Sequence, residues 1–475
     1  MKTNTCEEDG TMRHKFRRLG DGRQAILGET KRAVTPFGGL AVLVEFWREL
    51  GVLEAVRQRL PFSYRSPNAI GAAEILLSFW LSVSAGARRF SHVNLLRGDV
   101  ALRHLLGWKR LPGDDATRAF FGRFGWKEVD AFFPSLTNWL LVRLPVREAT
   151  LDLDSTVFDR CGRQEGARKG YNPRKPGRLS HHPLLAALAE PMFILHGWLR
   201  SGNTTAGRGV IEFLTEALAL LPEGWRLRGV RADSGFFDGK LLEFLEGRKL
   251  PYVVVARLTS TLKRAAAGSC QWRKIDEHIE AGEFAERLAG WSCERRFVVI
   301  RERVREGRAA VGRRLIDVPG YTYRIFVTNR AEAPEVIWRD YNQRATLEQR
   351  IDELKSDLGA DDFCRREFYA TEAAFRSVLL LFNLLSLWQT AARPNQTYRR
   401  PATLRTEVFL CGAIAGTDGR TPVLNLSQAW GGLEQRIPMI QNVSRFCRAI
   451  PPRLPKTGSS TSLQTSVGPY DNLTI

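Results

Sequence analysis

The sequence predicts an α/β protein: a mixed sheet flanked by helices, carrying a helical domain at its N-terminal side and a β-rich insertion. Three observations predict it. The chain of 475 residues with 44% hydrophobic content is long enough for roughly two to four domains with full cores. Apolar residues recur at helical spacing from about Phe37 to Leu144. After Glu148 the texture changes to short strand-like runs separated by helical ones, in the order β-β-β-α-β-α-β.

Residues 1–36 form a polar, basic arm. In 37–147, Leu40, Leu43, Val44, Trp47 and Leu50 mark a first helix, and a second apolar segment runs from Ala72 to Val83. Ser91 to Trp108 and Asp115 to Phe124 read as two helices joined by a short loop, with Asp114 or Asp115 as N-cap. Such a pair is either a helix-turn-helix or an ordinary bundle element. The core's first part, 148–257, contains the strands EATLDLDSTV, LLAALAE, MFILHGWLR, LRGVRAD and LPYVVVARL, with helices at GVIEFLTEALALL and GKLLEFLEGR. Residues 258–330 form the β-rich insertion, and 331–392 return to helix. Residues 393–475 end in the polar segment PKTGSSTSLQTSVGPYDNLTI, expected to be a disordered tail.

Lysine and arginine exceed the acids by 20, which points to a polyanionic partner. The longest apolar runs are about 12 residues or shorter, so no membrane span is expected, nor is a secretory signal. Seven scattered cysteines without a CxxC pair are expected to be reduced thiols, with no zinc site.

The chemistry-bearing residues fall in three elements. In EATLDLDSTV, Asp152 and Asp154 project from one face while Leu151 and Leu153 enter the core. Either could be the functional acid. LRGVRADSGFF ends in Asp233, where aspartate before glycine is also common turn chemistry. In WRDYNQRATLEQRIDELKSDLG, drawn as one helix, Tyr341, Arg344, Glu348 and Lys355 share an arc of about 60°. Leu347, Ile351, Leu354 and Leu358 make a neighbouring apolar stripe, and Gly359 stops the helix. A basic cluster, Arg168, Lys169, Arg174, Lys175 and Arg178, is interrupted by Gly and Pro and should be a loop that tracks phosphates. His181 and His182 are adjacent, alternate in direction on a strand and lack a second ligand pair.

The spacing Tyr341, Arg344, Glu348, Lys355 resembles the tyrosine-arginine-glutamate-lysine signature of bacterial insertion-sequence transposases of the DDE class, which share the ribonuclease H-like fold of retroviral integrases. LDLDSTV resembles that family's first-aspartate strand and RADSGF its second. QEGARKGYNPRKPGRLSHHPLLA and SGNTTAG resemble the segments between them, and the resemblance spans about Gly39 to Trp388. It implies a ribonuclease H-like catalytic core with Asp154, Asp233 and Glu348 as the catalytic and metal-binding acids, holding two Mg²⁺ ions that Mn²⁺ can replace. Asp154 is favoured over Asp152 because the family's acid precedes a small hydroxyl residue, here Ser155; Asp352 lies one turn beyond Glu348. Tyr341, Arg344 and Lys355 would contact DNA beside the cut. The resemblance further implies terminal inverted repeats and target DNA as partners, a homodimeric synaptic complex, cut-and-paste movement through a hairpin, and a cytoplasmic, nucleoid-associated bacterial protein. A tryptophan of the insertion, Trp272 or Trp291, could stack on an extruded base or simply pack.

Overall fold

The computed structural model describes residues 13–268, 271–303, 313–314 and 320–450. Its centre is one mixed sheet. Across the sheet the strands run Arg273–Lys274, Ile279–Glu286, Arg295–Arg303, Tyr321–Thr328, Tyr252–Val255, Arg226–Ala232, Glu148–Ser155, Leu184–Leu188 and Phe193–Trp198. The three strands Tyr252–Val255, Arg226–Ala232 and Glu148–Ser155 are mutually parallel, and their remaining neighbours are antiparallel. Parallel neighbours need crossovers, which the helices Val210–Ala219 and Gly239–Gly247 provide. The strand-and-helix order read from the sequence is present.

The segment expected as an insertion is not set apart. Tyr321–Thr328 pairs with Tyr252–Val255 and with Arg295–Arg303, so residues 258–330 extend the edge of the same sheet. Alternating residues such as Phe297, Val299, Tyr323 and Ile325 join the main core. This is physically reasonable, since an uncovered edge strand would leave a row of unpaired backbone groups.

The N-terminal helices, from Ala41–Leu50 to Trp126–Leu141, share that continuous core. The stretch expected as one helix from Ser91 is broken into Phe90–Val93, Asn94–Arg97 and Val100–Leu106. Asp99 causes the restart: its carboxylate accepts from the Leu102 amide and caps the third piece. Neither Asp114 nor Asp115 is an N-cap. Gly113 takes that position, and both aspartates lie in the first turn of Asp114–Phe121.

Residues 13–35, within the expected basic arm, contain the exposed hairpin Arg13–Arg17 with Gln24–Gly28 and a strand at Val34–Thr35. That last strand pairs with Ala413–Asp418, so the C-terminal region folds back on the N-terminal one. The tail expected over 455–475 lies outside the described residues, as do residues 1–12.

The helix Phe368–Ala392 spans 25 residues and underlies the whole arrangement. By length and composition it could cross a membrane, yet its apolar window is buried entirely inside the protein. The sequence reading missed its length because Glu372, Arg376, Asn383 and Gln389 interrupt the apolar run. These polar groups have partners: Glu372 pairs with Arg376, and the Asn383 amide accepts from Ile194 N (2.7 Å) and donates to Ile194 O (2.8 Å). The second contact satisfies the outer backbone edge of Phe193–Trp198. Asn383→Ala would leave both Ile194 groups buried without partners, and at about 1–3 kcal/mol for each it should destabilise the fold by roughly 2–6 kcal/mol. Urea unfolding would read this as a lower midpoint at unchanged slope.

Candidate active site

Parallel sheets place functional groups at the carboxyl ends of their strands, beyond the last hydrogen bond. Here Leu153 lies opposite Ala232, so the next residues, Asp154 and Asp233, end two adjacent parallel strands side by side. Asp154 Oδ1 accepts from the Ser155 amide at 2.7 Å, and Asp233 Oδ1 accepts from the Gly235 amide at 2.9 Å. Each carboxylate is thereby oriented by its own following turn.

The ambiguity between the two strand acids resolves by partner. Asp152 is fully buried and receives Arg231 through two hydrogen bonds, Nε at 2.6 Å and Nη2 at 2.9 Å. Against burial, this carboxylate holds the Arg231 guanidinium above its ordinary pKa. Arg231 also donates to the Asp340 carbonyl at 2.6 Å, tying the strand to the helix that precedes Arg344. Asp152 is therefore spent on structure. Asp154 has no such bidentate partner.

The helical segment carrying the third acid is not one straight helix. Pro334–Asn342 and Ala345–Asp352 are separated by a turn at Gln343 and Arg344, and Glu353–Asp357 widens into a π turn before Gly359, at φ 65°, ends it. The idealised arc of four residues is thus divided. Tyr341 is buried, with its ring 4.9 Å from that of Phe326, in an apolar cluster with Ile337 and Val298. Arg344 is buried too, and it bridges the acids: 3.2 Å to Asp154, 3.5 Å to Glu348, with a 2.8 Å hydrogen bond to the Leu153 carbonyl. Its guanidinium is committed to the acids and the strand end. Glu348 projects outward with a side chain 69% exposed. Lys355 Nζ donates to the Val157 carbonyl at 3.0 Å. Asp352 bonds Ser356 and Arg400.

Asp233, Glu348 and Lys355 line one cavity of about 1220 Å³, together with Asp159, Arg174 and Lys175. The basic cluster therefore reaches the site. It is not wholly loop, because Arg168–Lys169 pairs with Leu179–His181. The turn between them is held by Asp159, which pairs with Lys175 and accepts from Asn172. Gly170 lies so close to Gly202 that a Cβ would sit 1.8 Å from its carbonyl oxygen. Arg168 and Lys169 are exposed, and Arg178 donates to Cys161.

Sequence reasoning undervalued two cavity residues. His182 bridges Ser155 Oγ (3.1 Å) and the Thr204 carbonyl (2.5 Å), and burial holds its pKa below the ordinary value. Arg257, just beyond the third parallel strand, donates to the Ser234 carbonyl at 2.9 Å. The strand-end rule that marks Asp233 would also have marked Arg257. His181, by contrast, is structural: it accepts from Arg160 at 2.8 Å, and burial together with that arginine pushes its pKa down to about 4. Trp291 stacks on Phe297, and Trp272 lies under Arg301.

Burial pushes Asp154 up to about 6, opposed by Arg344 and reinforced by Asp233 and Glu348. As they stand, no three acidic, histidine or cysteine side chains among the described residues are grouped closely enough to hold one ion. In chemistry the donor set, three carboxylates, fits a hard divalent cation, which prefers oxygen ligands.

Two aspartates thus follow paired residues of neighbouring parallel strands, and a glutamate stands on a later helix. The sequence matches the family described as Transposase DDE domain group 1 over residues 20–443, and the chain belongs to that family: it is a DNA transposase. No curated protein matches it. Among solved structures it is similar to a piggyBac transposase synaptic complex with hairpin DNA, at 13% identity over 92% of this chain and 91% of that one, with a TM-score of 0.41. That likeness is too distant for residue correspondences.

Because the folded pKa of Asp154 lies above its unfolded value of 3.8, folding retains a proton that the unfolded chain loses between about pH 4 and 6. Metal-free wild type should therefore lose stability as pH rises through that window, by at most roughly 3 kcal/mol. Asp154→Asn should lack this component. Urea unfolding at pH 4.5 and 7 in chelator should find the variant the more stable at pH 7; a variant less stable there would contradict the assignment.

Proposed function

We propose that this transposase binds the terminal inverted repeats of its own insertion sequence, hydrolyses the DNA strand at the element's end, and joins the new 3′-OH to target DNA. The observation that carries this reading is the arrangement of the three acids: Asp233 and Glu348 line one basic-walled cavity, Asp154 lies beside Asp233 by strand register, and Arg344 bridges Asp154 and Glu348. The parallel strand trio with its crossover helices supports a ribonuclease H-like core over 148–257 and 331–392, with the helical region 37–147 as its DNA-binding partner.

In this mechanism Asp154, Asp233 and Glu348 would hold two Mg²⁺ or Mn²⁺ ions. When bound, the ions supply stabilisation of the attacking and leaving oxygens of an in-line displacement. Asp154 and Asp233 are oriented in advance by the Ser155 and Gly235 amides. Glu348 is exposed and must turn inward, which frees one arm of Arg344 to meet a phosphate in the paired geometry guanidinium favours. Lys355 is fixed at the cavity wall by Val157, where it offers a point charge to the same strand. Tyr341 acts from beneath, its ring holding the turn that presents Arg344. Arg168, Lys169, Arg174, Lys175 and Arg178 follow the backbone away from the cut. Cut-and-paste movement through a hairpin, in a homodimeric complex on nucleoid DNA, belongs to the same reading.

The test is metal-dependent cleavage of labelled DNA carrying the element's end. Asp154→Asn, Asp233→Asn and Glu348→Gln should each lower cutting by at least about 10³-fold, roughly 4 kcal/mol of barrier, while retaining DNA binding. Cutting by all three would sink the mechanism. Binding without cutting by the wild type would leave a non-enzymatic DNA-binding role; cutting without joining of pre-cut ends would leave a nuclease.

A further inference from the structure

A second cavity, of about 540 Å³, lies on the other side of the loop that bounds the catalytic one. Asp361 lines the catalytic cavity, whereas Cys364, Arg365 and Arg366 line the second. Arg163 joins them, four residues beyond Asp159 of the catalytic wall, and Arg118 reaches in from the helix Asp114–Phe121 of the N-terminal region. Four guanidinium groups thus face one space between the helical region and the core.

Of the nearby carboxylates, Asp114 and Glu367 each pair with one cavity arginine, and Glu165 is turned away. Glu165 accepts from the Phe368 amide at 2.8 Å, directing its charge to the start of the long helix. Asp114 accepts from Asn94 at 2.8 Å and stands 3.6 Å from Arg118. Arg365 Nε stands 3.4 Å from Glu367 Oε2, an ion pair without hydrogen-bond geometry. Arg163 and Arg366 are exposed, and among the described residues neither has an ion-pair partner. The backbone beneath is fixed, because the Glu165 amide donates to the Arg366 carbonyl at 2.8 Å and the Arg365 amide donates to Thr371 Oγ1 at 2.9 Å. The array thus holds four arginines against two paired carboxylates, on a fixed backbone.

We propose that this arginine cavity is a second phosphate-binding site, which grips the DNA backbone where the duplex passes from the catalytic cavity to the N-terminal helices. The proposal rests on the DNA-processing reading above. Both cavities border one segment, Asp361 lining the first and Cys364 to Arg366 the second, and this favours a nucleic-acid backbone, which can engage both, over an acidic protein. Arg118, Arg163 and Arg366 then supply separate phosphate contacts, and Arg365 closes the inner wall.

Each phosphate neutralised adds about 0.9 to the magnitude of the slope of log affinity against log salt. Binding of the full-length protein to a random-sequence duplex should be measured over a salt series, because this term does not depend on sequence. The variant R118Q/R163Q/R366Q should lose roughly 2 to 3 from the slope, and the corresponding triple lysine variant should largely restore it. Arg163→Gln and Arg366→Gln singly, at exposed positions, should each lose about 0.9 and guard against misfolding of the triple variant. A wild-type slope in the variants, or weaker binding at unchanged slope, would overturn the site. A shallow slope in the wild type itself would instead undermine the DNA reading as a whole.

Discussion

The register between two parallel strands is the constraint on which the site depends. With Asp152 opposite Arg231 and Leu153 opposite Ala232, the next residue on each strand is a carboxylate just past the last pair of the ladder these two strands share. The buried pair of Asp152 and Arg231 pins that register, because a slip of one residue would leave two charges in the core without partners, at a cost of several kcal/mol. The same arginine reaches the Asp340 carbonyl and so positions the start of the glutamate-bearing segment. One interaction aligns all three acid-bearing elements.

What the register brings together, electrostatics resists. Asp154 is buried near two other carboxylates, and Arg344 is the cation that offsets them. The guanidinium occupies a position between Asp154 and Glu348, so it holds the acids in reach of one another before any cation arrives. This accounts for the burial of Arg344, whose partners in the protein are carboxylates and a strand carbonyl. It also explains why Glu348 can be the most exposed of the three: the last ligand to arrive needs freedom to turn.

Much of this was legible in the chain. Alternation in EATLDLDSTV put both aspartates on one face, and the glycine after Asp233 marked a strand end. The sequence could not rank Asp152 against Asp154 by spacing, because the deciding fact is a partner 79 residues away on a neighbouring strand. Nor could a helical wheel detect the break at Gln343 or the π turn at Lys355, since periodicity assumes one uniform helix. The strands of 258–330 were visible, but their pairing with Tyr252–Val255 is non-local and leaves no periodic trace. Arg365 and Arg366 attracted no attention because isolated arginines carry no motif, and only folding brings them against Arg118 and Arg163.

The central claim is that Asp154, Asp233 and Glu348 together form the cation site that acts on DNA. Anomalous diffraction at the manganese edge, from crystals of the protein bound to a DNA end and soaked with Mn²⁺, tests it most directly. The account predicts anomalous peaks between the three carboxylates, with Glu348 turned inward and Arg344 detached from it, and their loss in Asp154→Asn. Peaks elsewhere on the protein, or none at saturating Mn²⁺ with DNA in the cavity, would contradict it.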